Sequence, residues 1–192
     1  QDEVPGTGRA VEAALGALDD FAGDVLVLSG DVPLLETHTL TGLLQAHRSG
    51  GAAVTLLTAE VDDPQGYGRV IRDDARAVRR IVEQKDATAE EAAVTEINVG
   101  VYVFRAAPLR DQLARVGTAN AQGEKYLTDV VALLRDAELG VAASVTPDAA
   151  AALGVNDRIQ LSEAGRTLNA RTVRHWQREG VTIVDPATTW ID

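Results

Sequence analysis

Between Asp24 and Leu35 the chain reads DVLVLSGDVPLL. Four apolar residues follow one another without a break, and the pattern stops at Ser29-Gly30-Asp31. A short apolar run with no polar alternation predicts a strand covered on both faces, the environment of a parallel sheet whose crossovers are helices. The flanking sequence supplies the covers. Val11, Ala14, Leu15 and Leu18 recur at helical spacing and predict an amphipathic helix from about Arg9 to Asp20. Leu40, Leu43 and Leu44 predict a second helix, ended by Gly50-Gly51. AAVTLLTAEV, beginning at Ala52, predicts another buried strand. Helix alternating with buried strand implies a doubly wound α/β sheet, mixed but mostly parallel.

The middle of the chain departs from that rhythm. GRVIRD and AVRRIVEQ predict a β-hairpin around a polar turn, and EINVGVYVFR predicts a further strand. Leu127, Val130, Val131 and Leu134 mark a helix after NAQGEKY. GVAASVTP predicts a strand, and the residues from Asn156 to Gly180 predict a long helix with Leu161, Ala164 and Leu168 on its apolar face. VTIVD predicts a closing strand. On this reading residues 1–180 form one domain, and 181–192 hold the closing strand and the start of a linker.

Composition narrows the function. Eighteen basic residues against 29 acidic ones give a net charge of −11, which repels nucleic acid and anionic lipid. A phosphate-bearing substrate therefore calls for a cation. Cysteine is absent, which excludes disulfide frameworks and zinc–thiolate sites and fits a cytoplasmic enzyme. Methionine is absent too, and the chain begins at Gln1, so it is expected to be an internal piece of a longer protein.

Ligands in open α/β sheets bind beyond the carboxyl ends of the strands, which is where Asp31 falls. A carboxylate there can hold Mg²⁺, which takes one or two protein oxygens and completes its shell with phosphate and water. It can also cap the following turn. PGTG at Pro5–Gly8 is either a plain turn or a close backbone approach to a ligand. In DDPQGYGRVI, Gly66 and Gly68 flank Tyr67 ahead of a strand, as a hairpin entry or as a backbone amide offered to a ligand. Glu83 and Asn98 interrupt apolar strands, at an exposed edge or in a polar pocket. Asn156 is either the N-cap of the long helix or a second metal ligand. His38, His47 and His175 have no matching partners, and Ser29 lacks a nucleophile-elbow context, so a hydrolytic triad is not expected.

Several segments carry a family resemblance, in order and at suitable spacing: PGTGRA, LSGDVPLL, DPQGYGRVIR, IVEQKDAT, EINVGVYVF, NAQGEKYLTDVV, GVNDRIQL and GVTIVDPATTWID. Together they resemble the uridyltransferase domain of the bifunctional GlmU enzymes, in which N-acetylglucosamine-1-phosphate uridyltransferase is joined to glucosamine-1-phosphate N-acetyltransferase. The resemblance covers nearly the whole chain. It implies a Rossmann-like nucleotide-diphospho-sugar transferase (GT-A-like) fold lacking its first βα unit. It implies Mg²⁺ held by Asp31 and Asn156, and a uracil-recognising segment at Gln1, Gly6 and Thr7. Ser29 and Gly30 would lie beside the nucleotide. Gly68, Glu83 and Asn98, with Tyr126 and Thr128, would form the acetamido-sugar pocket.

The implied reaction joins UTP and N-acetylglucosamine 1-phosphate into UDP-N-acetylglucosamine and pyrophosphate, a precursor step for the cell wall. The family's glycine-rich segment with its Arg and Lys has no counterpart among the 192 residues, so the chain alone is expected to be inactive or nearly so. The acetyltransferase and the homotrimer of the family are expected of a further left-handed β-helix domain. The alternatives are another sugar-1-phosphate nucleotidyltransferase, or a non-catalytic module that binds a nucleotide-sugar.

Overall fold

The computed structural model describes residues 4–18 and 20–191. In chain order the elements are α1 (Thr7–Leu15), β1 (Asp24–Val27), α2 (Thr37–Gly50), β2 (Val54–Glu60), β3 (Arg69–Arg72), β4 (Val78–Val82), α3 (Ala89–Ala92), β5 (Glu96–Arg105), α4 (Ala106–Leu113), α5 (Asp129–Asp136), β6 (Val141–Val145) and α6 (Arg158–Arg178). One six-stranded sheet runs in the order β4-β3-β5-β2-β6, with β1 also paired to β5.

The sheet is mixed, as expected, but it is mostly antiparallel rather than mostly parallel. Among the described residues only β2 and β6 pair in parallel. β5 runs against β1, β2 and β3, and β3 runs against β4. An apolar run reports burial and carries no information about the direction of its neighbour. Here β1, β2, β3 and β6 do point the same way, and β5 is inserted among them in the opposite sense. β1 is also less covered than expected, since all four of its residues are only half-buried.

Two apolar layers sandwich the sheet. On one face α1, α4 and α5 bring Leu15, Leu109, Leu113, Val130, Val131 and Leu134 against Val54, Leu56, Tyr102 and Phe104. On the other, α2 sets Leu43 against Leu57, Val101 and Val103. Alternate residues of β5 and β2 thus feed opposite cores, as the two-residue period of a strand requires. Gly51 closes α2 in the left-handed conformation at φ 66°, and its N–H donates to the His47 carbonyl.

The ends of the chain differ from expectation. The first helix starts two residues earlier, at Thr7, and ends at Leu15, which leaves Leu18 exposed. The apolar stripe of α6 faces outward: Leu161 and Leu168 are exposed, and the helix buries Asn169 and Val173 instead. No strand forms over 181–191, and Val184 of the expected closing strand is 94% exposed. That segment is held by a polar clasp, in which Asn169 donates to the Thr189 carbonyl (2.7 Å) and accepts from the Ile191 amide (3.1 Å).

Candidate functional site

The sheet forks where the cavity lies. β2 occupies one edge of β5 along its length, while the opposite edge is shared by β1, over Tyr102–Arg105, and β3, at Ile97. Between these two contacts β5 bulges. Leu57 pairs with Val101 and its neighbour Thr58 with Asn98, so Val99 and Gly100 are extra residues. Gly100 has φ 79°, and a Cβ there would collide with the Ser29 hydroxyl, so glycine is required at this point. The cavity in the fork measures ≈ 450 Å³, enough for a drug-sized or nucleotide-sized ligand.

The expected residues converge on it. Thr7, Ser29, Gly30, Asp31, Gly68, Glu83, Asn98, Thr128 and Asn156 all line the cavity. Tyr126 is buried outside the lining, and its hydroxyl has no hydrogen-bond partner among the described residues. Gly6 is likewise outside the lining, and Gln1 lies outside the described residues. Tyr67, Tyr102, Leu127 and Gly154 also line it. Tyr102 was legible in principle, because a residue four beyond Asn98 in a strand shares its face and carries a hydroxyl.

The segment that bears Asn156 is tied to Asp31 through its backbone. The Val155 N–H donates to the Asp31 carbonyl at 2.8 Å, and a Cβ on Gly154 would stand 3.6 Å from Asp31 Oδ2. Asn156 is not the cap of α6. Asp157 is, its carboxylate accepting from the Gln160 N–H at 2.8 Å. Among the described residues no hydrogen bond or ion pair engages the Asp31 carboxylate or the Asn156 side-chain amide, so the capping alternative for Asp31 is not realised. Both remain open hard-oxygen donors. Among the described residues no group of three or more His, Cys, Asp and Glu could hold a metal by itself. Two oxygens carrying one charge suit Mg²⁺, which fills the rest of its octahedron with phosphate and water.

Buried and half-buried polar groups brace the Gly66–Gly68 part of the lining. Arg69 at the start of β3 is 2% exposed and donates to the Tyr67 carbonyl, to Gln84 Oε1 (2.8 Å) and to the Ala92 carbonyl (3.3 Å). Gln84 Oε1 also accepts from the Gly66 N–H at 3.0 Å. This staples the Gly66-Tyr67-Gly68 loop to the hairpin. The Tyr67 hydroxyl reaches across to Gly154, accepting from its N–H at 3.2 Å. Glu83, at the end of β4, accepts from the Thr128 hydroxyl at 2.9 Å. Burial raises its pKa above the ordinary carboxyl value; the Thr128 bond offsets part of the rise, and Asp129, Asp86 and Glu124 add to it.

PGTG has a structural explanation. Gly6, at φ 121°, and Gly8 pack directly on the backbone of Lys125, where a Cβ on Gly8 would lie 2.8 Å from the Lys125 carbonyl oxygen. The Gly8 N–H donates to that carbonyl (2.8 Å), and the Lys125 N–H donates to Pro5 (2.9 Å). Thr7, between the two glycines, accepts from the Leu127 N–H at 3.1 Å. The seam joins the start of α1 to the segment that bears Thr128.

His47 does have partners, contrary to the sequence reading. Its Nδ1 is 3.0 Å from the Thr55 hydroxyl and its Nε2 is 3.5 Å from Asp24 Oδ1. Thr55 is 1% exposed and does not line the cavity, so this grouping offers no nucleophile to a substrate. Burial lowers the His47 pKa, Asp24 opposing.

Three kinds of comparison bear on the chain. The nucleotidyl transferase family matches residues 1–179. Proteins called bifunctional protein GlmU are similar over all of the chain: 59% identical over 193 residues in Leifsonia xyli subsp. xyli, 58% in Kineococcus radiotolerans and 54% over 192 residues in Corynebacterium glutamicum. The chain spans about two fifths of the length of these relatives, 39–40%. Among solved structures, a putative glucose-1-phosphate thymidylyltransferase from Bacillus anthracis in complex with a sucrose superposes with a TM-score of 0.63. It is 14% identical, and the match covers 97% of this chain and 66% of that one, a likeness of fold.

Proposed function

The chain belongs to the nucleotidyl transferase family, and on that premise we propose that it carries the uridylyl-transfer chemistry of UDP-N-acetylglucosamine synthesis. UTP and N-acetylglucosamine 1-phosphate are the substrates, and UDP-N-acetylglucosamine and pyrophosphate are the products. The observation that carries the reading is the lining of the one cavity in the fork. Asp31 and Asn156 offer unengaged oxygens to it, and Gly68, Glu83, Asn98 and Thr128 add a hydrogen-bonded set to the same lining.

Asp31 and Asn156 would hold Mg²⁺, which when bound supplies charge neutralisation and alignment for the phosphates. That is the answer of a chain with net charge −11 to two polyanionic substrates. A single carboxylate beside a neutral amide leaves a site that can still attract phosphate. Thr7 and Gly6 would sit at the base, and Ser29 and Gly30 beside the phosphates, where Gly30 leaves space that a side chain would fill. The stapled Gly66–Gly68 loop and the Asn98 and Glu83 side chains orient the sugar. The attacking phosphate oxygen is already ionised at neutral pH, so no side chain need act as general base.

An N-acetyltransferase activity and a trimer built by a further domain, a cytoplasmic site of action and a place in cell-wall precursor synthesis belong to the same proposal. So does low activity of these residues on their own. The test places residues 1–192 into the matching region of the Leifsonia xyli relative and measures pyrophosphate release with MgCl₂. Turnover of UTP with N-acetylglucosamine 1-phosphate is expected, with dTTP, GTP and glucose 1-phosphate at least about 100-fold slower, the discrimination available to a site built on hydrogen bonds. Preference for another base or sugar would select a different sugar-1-phosphate nucleotidyltransferase. Binding of UDP-N-acetylglucosamine without turnover would select the non-catalytic module.

A further inference from the structure

The bulge in β5 fixes the orientation of one side-chain amide, and a second consequence follows from it. The Gly100 N–H points at the Asn98 side chain at 3.3 Å. A backbone N–H can only donate, so the amide atom facing it is Oδ1. The other end of the amide, Nδ2, therefore faces the Tyr102 hydroxyl, at 2.7 Å. An amide nitrogen also only donates, so the Tyr102 oxygen is the acceptor in that bond and its own proton is directed elsewhere.

Among the described residues no other hydrogen bond involves that hydroxyl. Tyr102 is 3% exposed, and it lines the cavity beside Asn98 and Glu83. Burial raises its pKa, so the phenol keeps its proton at every physiological pH. The ring itself is fixed, packed against Phe104 with centroids 5.4 Å apart. The bulge is held from the other side by Ser29, whose hydroxyl donates to the Gly100 carbonyl at 3.0 Å. A buried, oriented donor without an acceptor costs stability unless a ligand supplies one.

We propose that Tyr102 is a substrate-contacting residue whose hydroxyl donates to an uncharged acceptor oxygen on the sugar, a hydroxyl or acyl oxygen, alongside the second N–H of Asn98. The inference rests on the uridylyl-transfer reading and adds to it a specificity residue for the sugar. The two donors are hydrogen-bonded neighbours in the cavity lining, so they favour a sugar that presents a neutral oxygen there. UDP lacks the N-acetylglucosamine, so it tells whether the acceptor oxygen belongs to that sugar.

The test is Tyr102→Phe, which keeps the ring and removes only the hydroxyl. Calorimetric titration with UDP-N-acetylglucosamine and with UDP, both in MgCl₂, on residues 1–192 placed in the matching region of the Leifsonia xyli relative, separates the sugar contact from the rest. The variant is expected to bind UDP-N-acetylglucosamine about tenfold more weakly, the effect of one lost neutral hydrogen bond that leaves its partner unpaired. Its affinity for UDP is expected to change by less than about twofold, with a melting temperature within about 3 °C of the unsubstituted chain. Unchanged affinity for UDP-N-acetylglucosamine overturns the inference while leaving the uridylyl-transfer reading intact. Equal weakening towards both ligands also overturns it, because the hydroxyl then acts on the frame of the cavity. If the same host protein carrying the unsubstituted residues binds neither ligand, the uridylyl-transfer reading is overturned, and the inference falls with it.

Discussion

Substituting Gly6 by alanine tests the seam that ties the first helix to the segment that bears Thr128. Gly6 sits at φ 121° and ψ 157°, a region that residues with a Cβ essentially avoid. Forcing alanine there costs about 1–3 kcal/mol for the backbone alone. The added methyl also meets Lys125, with its N at 2.7 Å and its carbonyl carbon at 2.9 Å. These are backbone atoms already committed to hydrogen bonds with Pro5 and Gly8, so they cannot retreat without breaking the seam. Losing one such bond adds about 1 kcal/mol, for a total of about 3 kcal/mol. In a chain of this length that corresponds to a melting point lower by about 6–12 °C. The assay is thermal unfolding followed by circular dichroism. Gly165→Ala is the control. Gly165 lies inside α6 with nothing within 4 Å of a built Cβ, so alanine there should gain about 0.5–1 kcal/mol from helix propensity. If Gly6→Ala melts no lower than Gly165→Ala, the seam does not constrain Gly6 and the reasoning fails.

Two further perturbations probe other parts of the account. Glu83 has a folded pKa raised above its ordinary value of 4.5, burial being the main cause. The folded state therefore holds a proton that the unfolded chain has released, and stability falls as pH rises from about 4.5 towards the folded value. Glu83→Gln, which can still accept from Thr128, should gain stability relative to the unsubstituted chain between pH 4 and pH 7. Denaturant midpoints whose difference is independent of pH would contradict this. Asn169→Ala removes the clasp on the Thr189 carbonyl and the Ile191 amide, so it should cost about 1–2 kcal/mol. It should also speed proteolytic cleavage after residue 180, and an unchanged digestion pattern would show that something else secures this segment.

Much of the architecture could be read from the sequence, and the failures have identifiable causes. The hairpin was legible because two alternating runs bracket Asp73 to Arg76, a polar turn in which Arg76 takes φ 61°. Strand direction was not legible. Val25 to Leu28 reports only that its environment is apolar, and β5 occupies the place where a parallel neighbour was expected. The short helix α3 was missed although Thr88 and Glu91 form a capping box, a signal visible in TAEE. α4 was missed because Pro108 obscures its pattern. The proline lies in the first turn, where its absent N–H has no helical partner to lose. The outward face of α6 misled for a different reason. Leu161, Ala164 and Leu168 form an apolar stripe, yet the residue that anchors the helix is the polar Asn169, which a hydrophobic pattern does not detect.

The candidate site was legible mainly where chemistry interrupts pattern. Asp31, Glu83 and Asn98 each break an apolar run, and each reaches the same cavity. Glycine was ambiguous. In PGTG and at Gly100 it is required by close approach between chain segments, which is a tertiary fact that no local pattern reveals. Tyr126 shows the converse limit, since its position next to the site in sequence did not bring it into the lining.

The joint hold of Asp31 and Asn156 on a divalent cation is tested most directly by crystals grown with UDP-N-acetylglucosamine and MnCl₂, read by anomalous scattering. The account predicts a peak within about 2.5 Å of both an Asp31 carboxylate oxygen and Asn156 Oδ1, also touching the diphosphate. A peak bound elsewhere, with either side chain turned away from it, would contradict the account.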